Sequence, residues 1–463
     1  MAPLPKLGVL VGWALARYAL QAGDDRYGTG MSAAATAPHS MSSHRRVLLA
    51  SLVGTGIEFY DFYIYATAAS LVFGSLFFPS VSPAAQQMLA FATLGVAFIA
   101  RPVGSLVFGH FGDRIGRKST LVASLLTMGV STTLVAFLPT YASAGWVAPF
   151  ALCVLRFGQG FGLGGEWGGA ALLAVENAPP GWRARYGMFP QLGAPAGFIA
   201  ANGLFLLLGL WLTPDQFRDW GWRIPFVLST LLVGVGLWIR LKLCETPEFA
   251  ASLCEAAPPR VPLVELVRLH PGALLVGTLG AVACFALYYI STAFALGYGT
   301  KTLGYGMQQF LGVQLGAILF LAVGIFVAAW LADLHWDERR VLMGGCVATI
   351  GAGFLMAPLM GSGSLSLVFV FLALSLFLMG FIYGPLGAWL PSLFPPRVRY
   401  TGVSMAFNVA GVLGGGLTPM IAQALATRGG LAPVGYYASA AALVSLVALL
   451  AASGRGAKSA AAA

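Results

Sequence analysis

Runs of about 20 apolar residues, the length that carries a helix across a ~30 Å hydrocarbon core, recur along the chain. Each run ends at a short cluster of proline, glycine or charge. Twelve fit the pattern: about 47–77, 85–109, 118–138, 145–175, 186–212, 222–242, 272–298, 307–332, 340–360, 364–391, 401–425 and 433–453. None shows the ~10-residue alternation of a membrane barrel strand. The pattern predicts an all-α membrane protein of twelve transmembrane helices. The longest loop between runs, about 243–271, holds Glu245, Glu248, Glu255, Glu265, Pro258, Pro259 and Pro262, and divides the runs six and six. The expected organisation is a leader over 1–44, a six-helix bundle over 45–242, a central loop over 243–271, a second bundle over 272–453 and a tail over 454–463.

Composition agrees with a lipid solvent. Apolar residues make up 58% of the 463 residues and charged residues 9%. A soluble domain carries about 25% charged residues. A disordered chain, a secreted disulfide scaffold and a soluble enzyme are excluded together. The five cysteines form no C-x-x-C pair, and the five histidines are scattered, so neither a metal nor a disulfide framework is expected.

The net charge of +10 raises the question of nucleic acid, and its placement answers it. Of 26 basic residues, 17 fall on one side of the spans and 4 on the other. Positive charge collects on the cytoplasmic side of membrane proteins. Both termini are therefore expected in the cytoplasm, and no nucleic-acid partner is needed. Residues 1–44 fit this scheme poorly. Leu7 to Leu20 is apolar but short and interrupted by Arg17. A signal peptide, an amphipathic surface segment, or a start placed upstream of Met31 or Met41 all remain open.

The halves echo each other. Gly109-His110-Phe111-Gly112-Asp113-Arg114-Ile115-Gly116-Arg117-Lys118 follows the second run; Asp333, then Arg339 and Arg340, follows the eighth. The two aspartates are 220 residues apart. Pro179-Pro180-Gly181-Trp182-Arg183-Ala184-Arg185-Tyr186-Gly187 follows the fourth run, and Pro395-Pro396-Arg397-Val398-Arg399-Tyr400-Thr401-Gly402 the tenth, at an offset of 214. Six-span repeats are the architecture of rocking carriers with a midplane site. The first copy, Gly109 to Lys118, reads as a tight turn in which Gly112 and Gly116 permit positive φ. Its charges, Asp113, Arg114, Arg117 and Lys118, suit a latch between conformations.

Ionisable residues inside spans are informative, because each costs about 2.5–3.5 kcal/mol even on the insertion scale. There are five: Glu58 and Asp61 in the first run, Arg101 in the second, Arg156 and Glu166 in the fourth. Glu58, Asp61 and Tyr65 share a helix face. Two cations and three carboxylates at overlapping depths form either a static ion-pair network or a proton-exchanging set. The second half has none at mid-span. Neutral polar residues within spans are candidates for substrate contact: Tyr63, Gln159, Gln191, Asn202, Tyr288, Ser291, Thr292, Tyr383 and Asn408. Gly160 to Gly165 matches G-x-G-x-x-G, but no strand precedes it, so a dinucleotide site is rejected. Gly160, Gly164 and Gly168, like Gly411 and Gly415, suit close helix packing. Pro190, Pro195, Pro385 and Pro391 are placed to kink their helices.

The Gly109–Lys118 segment, with Arg156-Phe157-Gly158-Gln159-Gly160, resembles motifs of the major facilitator superfamily. More narrowly, Glu58-Phe59-Tyr60-Asp61-Phe62-Tyr63, Arg101-Pro102-Val103-Gly104, Gly164-Gly165-Glu166-Trp167-Gly168-Gly169, Glu245-Thr246-Pro247-Glu248-Phe249 and Phe394 to Gly402 resemble the metabolite:proton symporters. That family includes shikimate, α-ketoglutarate, citrate and proline/betaine permeases. The resemblance covers about 45–453. Trp220 to Phe226 and Thr292 to Leu296 are similar to the shikimate-permease branch. It implies two pseudo-symmetric six-helix bundles and proton symport of a small polar metabolite, an organic acid such as shikimate or a di- or tricarboxylate. An uncoupled facilitator, an exporter, or uptake of betaine or proline are the alternatives. It also implies a gating role for Gly109, Gly112, Asp113, Arg114, Gly116, Arg117 and Lys118. The second-half gating loops carry Asp333, Arg339, Arg340, Arg397 and Arg399, but Asp333 to Arg340 departs from the D-R-x-G-R order. The expected setting is a monomer in a bacterial inner membrane, with no cofactor, no metal and the proton as coupling ion.

Overall fold

Each predicted run is helical in the structure, a computed structural model that describes residues 41–81, 83–115, 117–241, 262–334 and 336–460. Side chains of 112–118 and 453–460, among others, also lie outside the description. Twelve long helices run in order: α1 (Met41–Ala68), α2 (Pro83–Ile115), α3 (Arg117–Val135), α4 (Val147–Glu176), α5 (Arg183–Trp211), α6 (Ile224–Leu241), α7 (Pro271–Tyr289), α8 (Met307–Leu334), α9 (Glu338–Gly353), α10 (Leu365–Ser392), α11 (Arg399–Gly411) and α12 (Leu431–Ala460). Nine helical stretches among the described residues are long and apolar enough to cross a membrane. The others are α1, with its carboxylates and hydroxyls, the short α3, and α9, which stops at Gly353 before a second turn, Met356–Met360. Large apolar side chains such as Ile99, Phe137, Leu231 and Trp238 face outward, as a lipid solvent requires. The chain is a multi-pass membrane protein.

Packing repeats between the halves. A Cβ on Gly160 or Gly164 of α4 would strike the backbone carbonyls of Ala97 or Arg101 in α2. A Cβ on Gly380 of α10 would strike the carbonyl of Leu321 in α8 with the Ile325 nitrogen next nearest, as one on Gly164 meets the Arg101 carbonyl and the Ser105 nitrogen. Gly104 meets Phe161 in the first half as Gly324 meets Phe377 in the second. The small-residue reading of α4 thus has a precise meaning: α4 and α2 touch backbone to backbone. The same reading of Gly411 and Gly415 needs correction. Their neighbours are aromatic side chains, Phe285 and Phe98 for Gly411, Tyr289 and Phe98 for Gly415, not another helix backbone.

Three helices break into π-turns: α1 at Ala69–Phe73, α7 at Ile290–Phe294, and α11 at Val412–Gly416. The first two lie 221 residues apart, at matching places in the repeat. A π-turn leaves carbonyls without their usual partners, and such bulges gather at functional sites. In α7 the carbonyls of Ser291 and Thr292 take hydrogen bonds from the Gln314 amide at 3.0 and 2.8 Å. The four prolines sit inside α5 and α10, which continue through them.

The expected tight turn is corrected over Gly109–Ile115 only, since Gly116 lies outside the described residues. α2 stays helical to Ile115, and Gly112 is not among the glycines with positive φ. Gly109 serves proximity instead: a Cβ there would lie 2.9 Å from the Thr401 Cα in the second half. The central loop is also partly structured. Residues 242–261 lie outside the described residues, but Pro262–Leu269 forms a helix packed on α2, α7 and α11.

Candidate functional site

All five intramembrane charges are buried, with Asp61, Arg156 and Glu166 wholly so. Asp61 accepts a hydrogen bond from Ser229 Oγ at 2.5 Å, with Thr132 also close. Glu166 accepts one from Ser124 Oγ at 2.5 Å and lies in the field of Asp61. Arg156 donates to Gln159 Oε1 and lies 3.7 Å from the Tyr65 ring centroid. Its Nε and Nη2 find no hydrogen-bond partner among the described residues. Arg101 donates from Nε to Asn408 Oδ1 at 2.9 Å, across to the second half. Its guanidinium faces the rings of Phe98, Phe285 and Phe407 at 5.3–6.0 Å and lies within electrostatic reach of Glu58. Arg101, Arg156 and Asp61 form no ion pair among the described residues. A static network of mutual ion pairs therefore does not describe these three.

Arg101 lines an inner chamber of about 450 Å³ empty volume, walled by Tyr63, Tyr288, Tyr289, Tyr383, Phe285 and Phe407. An outer chamber of about 780 Å³ shares Phe62, Tyr63, Tyr288 and Tyr289 and adds the neutral polar groups of Thr67, Asn202, Thr292 and Gln314. Residues of α1, α2, α7 and α11 meet here, so both halves build one cavity.

The cavity floor toward the basic end is a layer of cross-half contacts. Trp167 of α4 stacks on Phe407 of α11 with centroids 3.6 Å apart. Its indole N–H donates to Gln191 Oε1 at 2.8 Å and to the Tyr383 hydroxyl at 3.0 Å. Below, Asn408 donates to the Gly164 carbonyl and Tyr400 to that of Gly165. At the surface Asp333, ending α8, caps the start of α5. It accepts the backbone N–H groups of Ala184 and Arg185 at 2.9 Å each, and the Arg185 Nε is 3.2 Å away. A carboxylate is well placed at a helix N-terminus, where four N–H groups lack partners and the dipole is positive. Arg399 pairs with Glu176 at 3.3 Å across the same interface. Among the described residues, these contacts close the two halves against each other at the basic end.

The family described as "Sugar (and other) transporter" matches residues 47–255. The inner membrane metabolite transport protein YhjE of Escherichia coli K12 is 50% identical over 414 residues, covering 89% of this chain and 94% of that protein. The chain belongs to the major facilitator superfamily. The shikimate transporter of the same strain is 39% identical, covering 89% of this chain and 95% of that one. The proline/betaine transporter of Salmonella typhimurium is 30% identical, over 82% and 77%. Among solved structures, the proton:xylose symporter XylE superposes with a TM-score of 0.68 at 17% identity, over 88% of this chain and 95% of that one. At that identity the likeness is one of fold. This transporter's relatives carry metabolites and are not enzymes.

The predicted positions separate within this transporter. Tyr63, Asn202 and Tyr288 line the cavity, as do Thr292 and Tyr383. Gln159, Gln191 and Asn408 do not: they are buried and spend their amides on Arg156, Trp167 and Arg101 respectively. Ser291 is buried in the α7 π-turn. Of the gating motif, Gly109 packs on Thr401; Gly112, Asp113, Arg114, Gly116, Arg117 and Lys118 have side chains or backbone outside the described residues. Asp333 and Arg399 sit in the cross-half contacts, whereas Arg340 pairs locally with Asp337 at 3.6 Å, Arg397 is exposed and Arg339 half-buried. Sequence reasoning passed over Tyr289, Gln314 and Glu176. Gln314 meets the criterion that selected Gln159, a neutral polar residue inside an apolar run.

Proposed function

We propose that this transporter couples inward proton flow to uptake of a small organic anion across a bacterial inner membrane. It works as a monomer with both termini in the cytoplasm, and the halves around α1–α6 and α7–α12 rock about the shared cavity. The observation that carries the reading is Arg101: a buried cation, hydrogen-bonded among the described residues to a neutral amide, facing an aromatic chamber built by both halves. A desolvated guanidinium presents donors in a fork that fits a carboxylate.

Proton and anion can share that group. Glu58 lies in the field of Arg101. A proton on Glu58 removes a competing negative charge and leaves the guanidinium to the substrate. Asp61, facing Ser229 with no cation among the described residues, is the second exchanger. The relationship to a shikimate transporter and the proton-symporter fold support this reading. The closed basic end is then the cytoplasmic gate, with α2, Asp333 and Arg399 among its parts.

The test is Asp61→Asn in proteoliposomes. Proton-driven accumulation is expected to vanish while substrate exchange at equal pH survives. Unchanged accumulation excludes Asp61 as a proton carrier.

A further inference from the structure

The substrate class can be narrowed by counting charges on the cavity wall, an argument that rests on the organic-anion reading above. Of the described residues lining the two chambers, Arg101 alone is charged. Arg156 lies behind the rings of Tyr65 and Phe62 and lines neither chamber. No described carboxylate lines them either; Glu58, Asp61 and Glu166 are buried outside both linings, with Glu58 in the field of Arg101, Tyr63 and Tyr383. We infer that the cavity selects a monocarboxylate with an uncharged, hydroxylated, compact body, and discriminates against dicarboxylates, tricarboxylates and zwitterions.

Each part of that description answers to a part of the wall. One carboxylate neutralises Arg101. A second would lie against tyrosine rings or amides with no cation to offset its desolvation. A quaternary ammonium would suit bare aromatic faces. Here the rings of Phe98, Phe285 and Phe407 already face a guanidinium, which would repel it. The substrate body meets two surfaces. Tyr63 and Tyr288 stack on each other at 5.8 Å, with Phe59 against Tyr63 at 5.6 Å, and together form one aromatic side of the chambers. Thr67, Asn202, Thr292 and Gln314 in the outer chamber spend donors within the protein and keep acceptor lone pairs for a substrate's hydroxyls, with no charge. One negative charge with one proton also makes the loaded carrier's cargo electroneutral.

The wild-type protein in proteoliposomes tests this without a mutation. Shikimate, quinate and gluconate serve as hydroxylated monocarboxylates, beside shikimate carboxamide, succinate, citrate and glycine betaine. The expected result is uptake of at least one monocarboxylate. Succinate and citrate should compete about 10-fold or more weakly, a step worth about 1.4 kcal/mol, and the carboxamide and glycine betaine more weakly still. Succinate or citrate carried as well as every monocarboxylate overturns the charge count and leaves the organic-anion reading standing. Glycine betaine preferred over every anion, or the carboxamide carried as well as its acid, overturns both. A second arm adds a cation. Gln314→Lys and Thr292→Lys should each raise the succinate-to-shikimate uptake ratio about 10-fold. An unchanged ratio in both folded variants contradicts the inference.

Discussion

Arg101 is held by Asn408 from the opposite half, and that single neutral contact leaves most of its donors uncommitted. A guanidinium bound instead by a carboxylate would be closed to substrate. Charge-assisted hydrogen bonds are worth about 1.5–3 kcal/mol each. Arg101→Gln is therefore expected to raise the substrate concentration for half-maximal uptake by about 10-fold or more. Arg101→Lys should recover only part of the loss, since a point ammonium cannot hold Asn408 and fork a carboxylate together. Concentration dependence of uptake checks this; a half-saturation unchanged in Arg101→Gln contradicts it. The charged residues were legible in the sequence because lipid makes each one costly. Their partners were not. Asn408 reads as a substrate contact until the fold shows its amide bridging Arg101 and the Gly164 carbonyl. Glu176 sits at a span end, where a charge raises no question, until Arg399 is found beside it.

Helices explain how so few charges are held in place. α4 presents glycines to α2, so the helix bearing Arg156 and Glu166 lies against the backbone of the one bearing Arg101. A side chain at Gly164 would meet the Arg101 carbonyl, which cannot move without moving the cation. Overpacking of this kind costs about 1–3 kcal/mol. Gly164→Val is expected to lower the thermal unfolding temperature in detergent and to weaken substrate stabilisation. Gly203→Ala is the control, because nothing lies within 4 Å of that position. Equal unfolding temperatures for the two variants would contradict the backbone-contact account. Helix existence was readable from apolar run length, and the small residues from their spacing. The helical course of Gly109–Ile115 was not. Three glycines and four charges within the ten residues from Gly109 to Lys118 look like a turn, but the backbone runs as helix to Ile115, with Gly109 close against Thr401. The π-turns were also invisible, since they have no composition of their own.

At the scale of the molecule, two copies of one packing scheme have diverged in chemistry. Where the Arg101 carbonyl receives Gly164, the Leu321 carbonyl receives Gly380. The second half keeps the geometry and replaces the cation with an apolar residue. The repeat was visible in two loop motifs, and its depth only in the matched glycine contacts of α4 with α2 and α10 with α8. The five intramembrane charges all lie in the first half, while both halves supply aromatic wall and cross-half contacts. The central proposal, that proton flow drives uptake of an organic anion, is tested most directly by uptake of a hydroxylated monocarboxylate into proteoliposomes with the membrane potential clamped. With an inwardly directed proton gradient, accumulation should exceed the outside concentration and collapse on adding a protonophore. Uptake that stops at equal concentrations, gradient or no gradient, would contradict the account and leave an uncoupled facilitator.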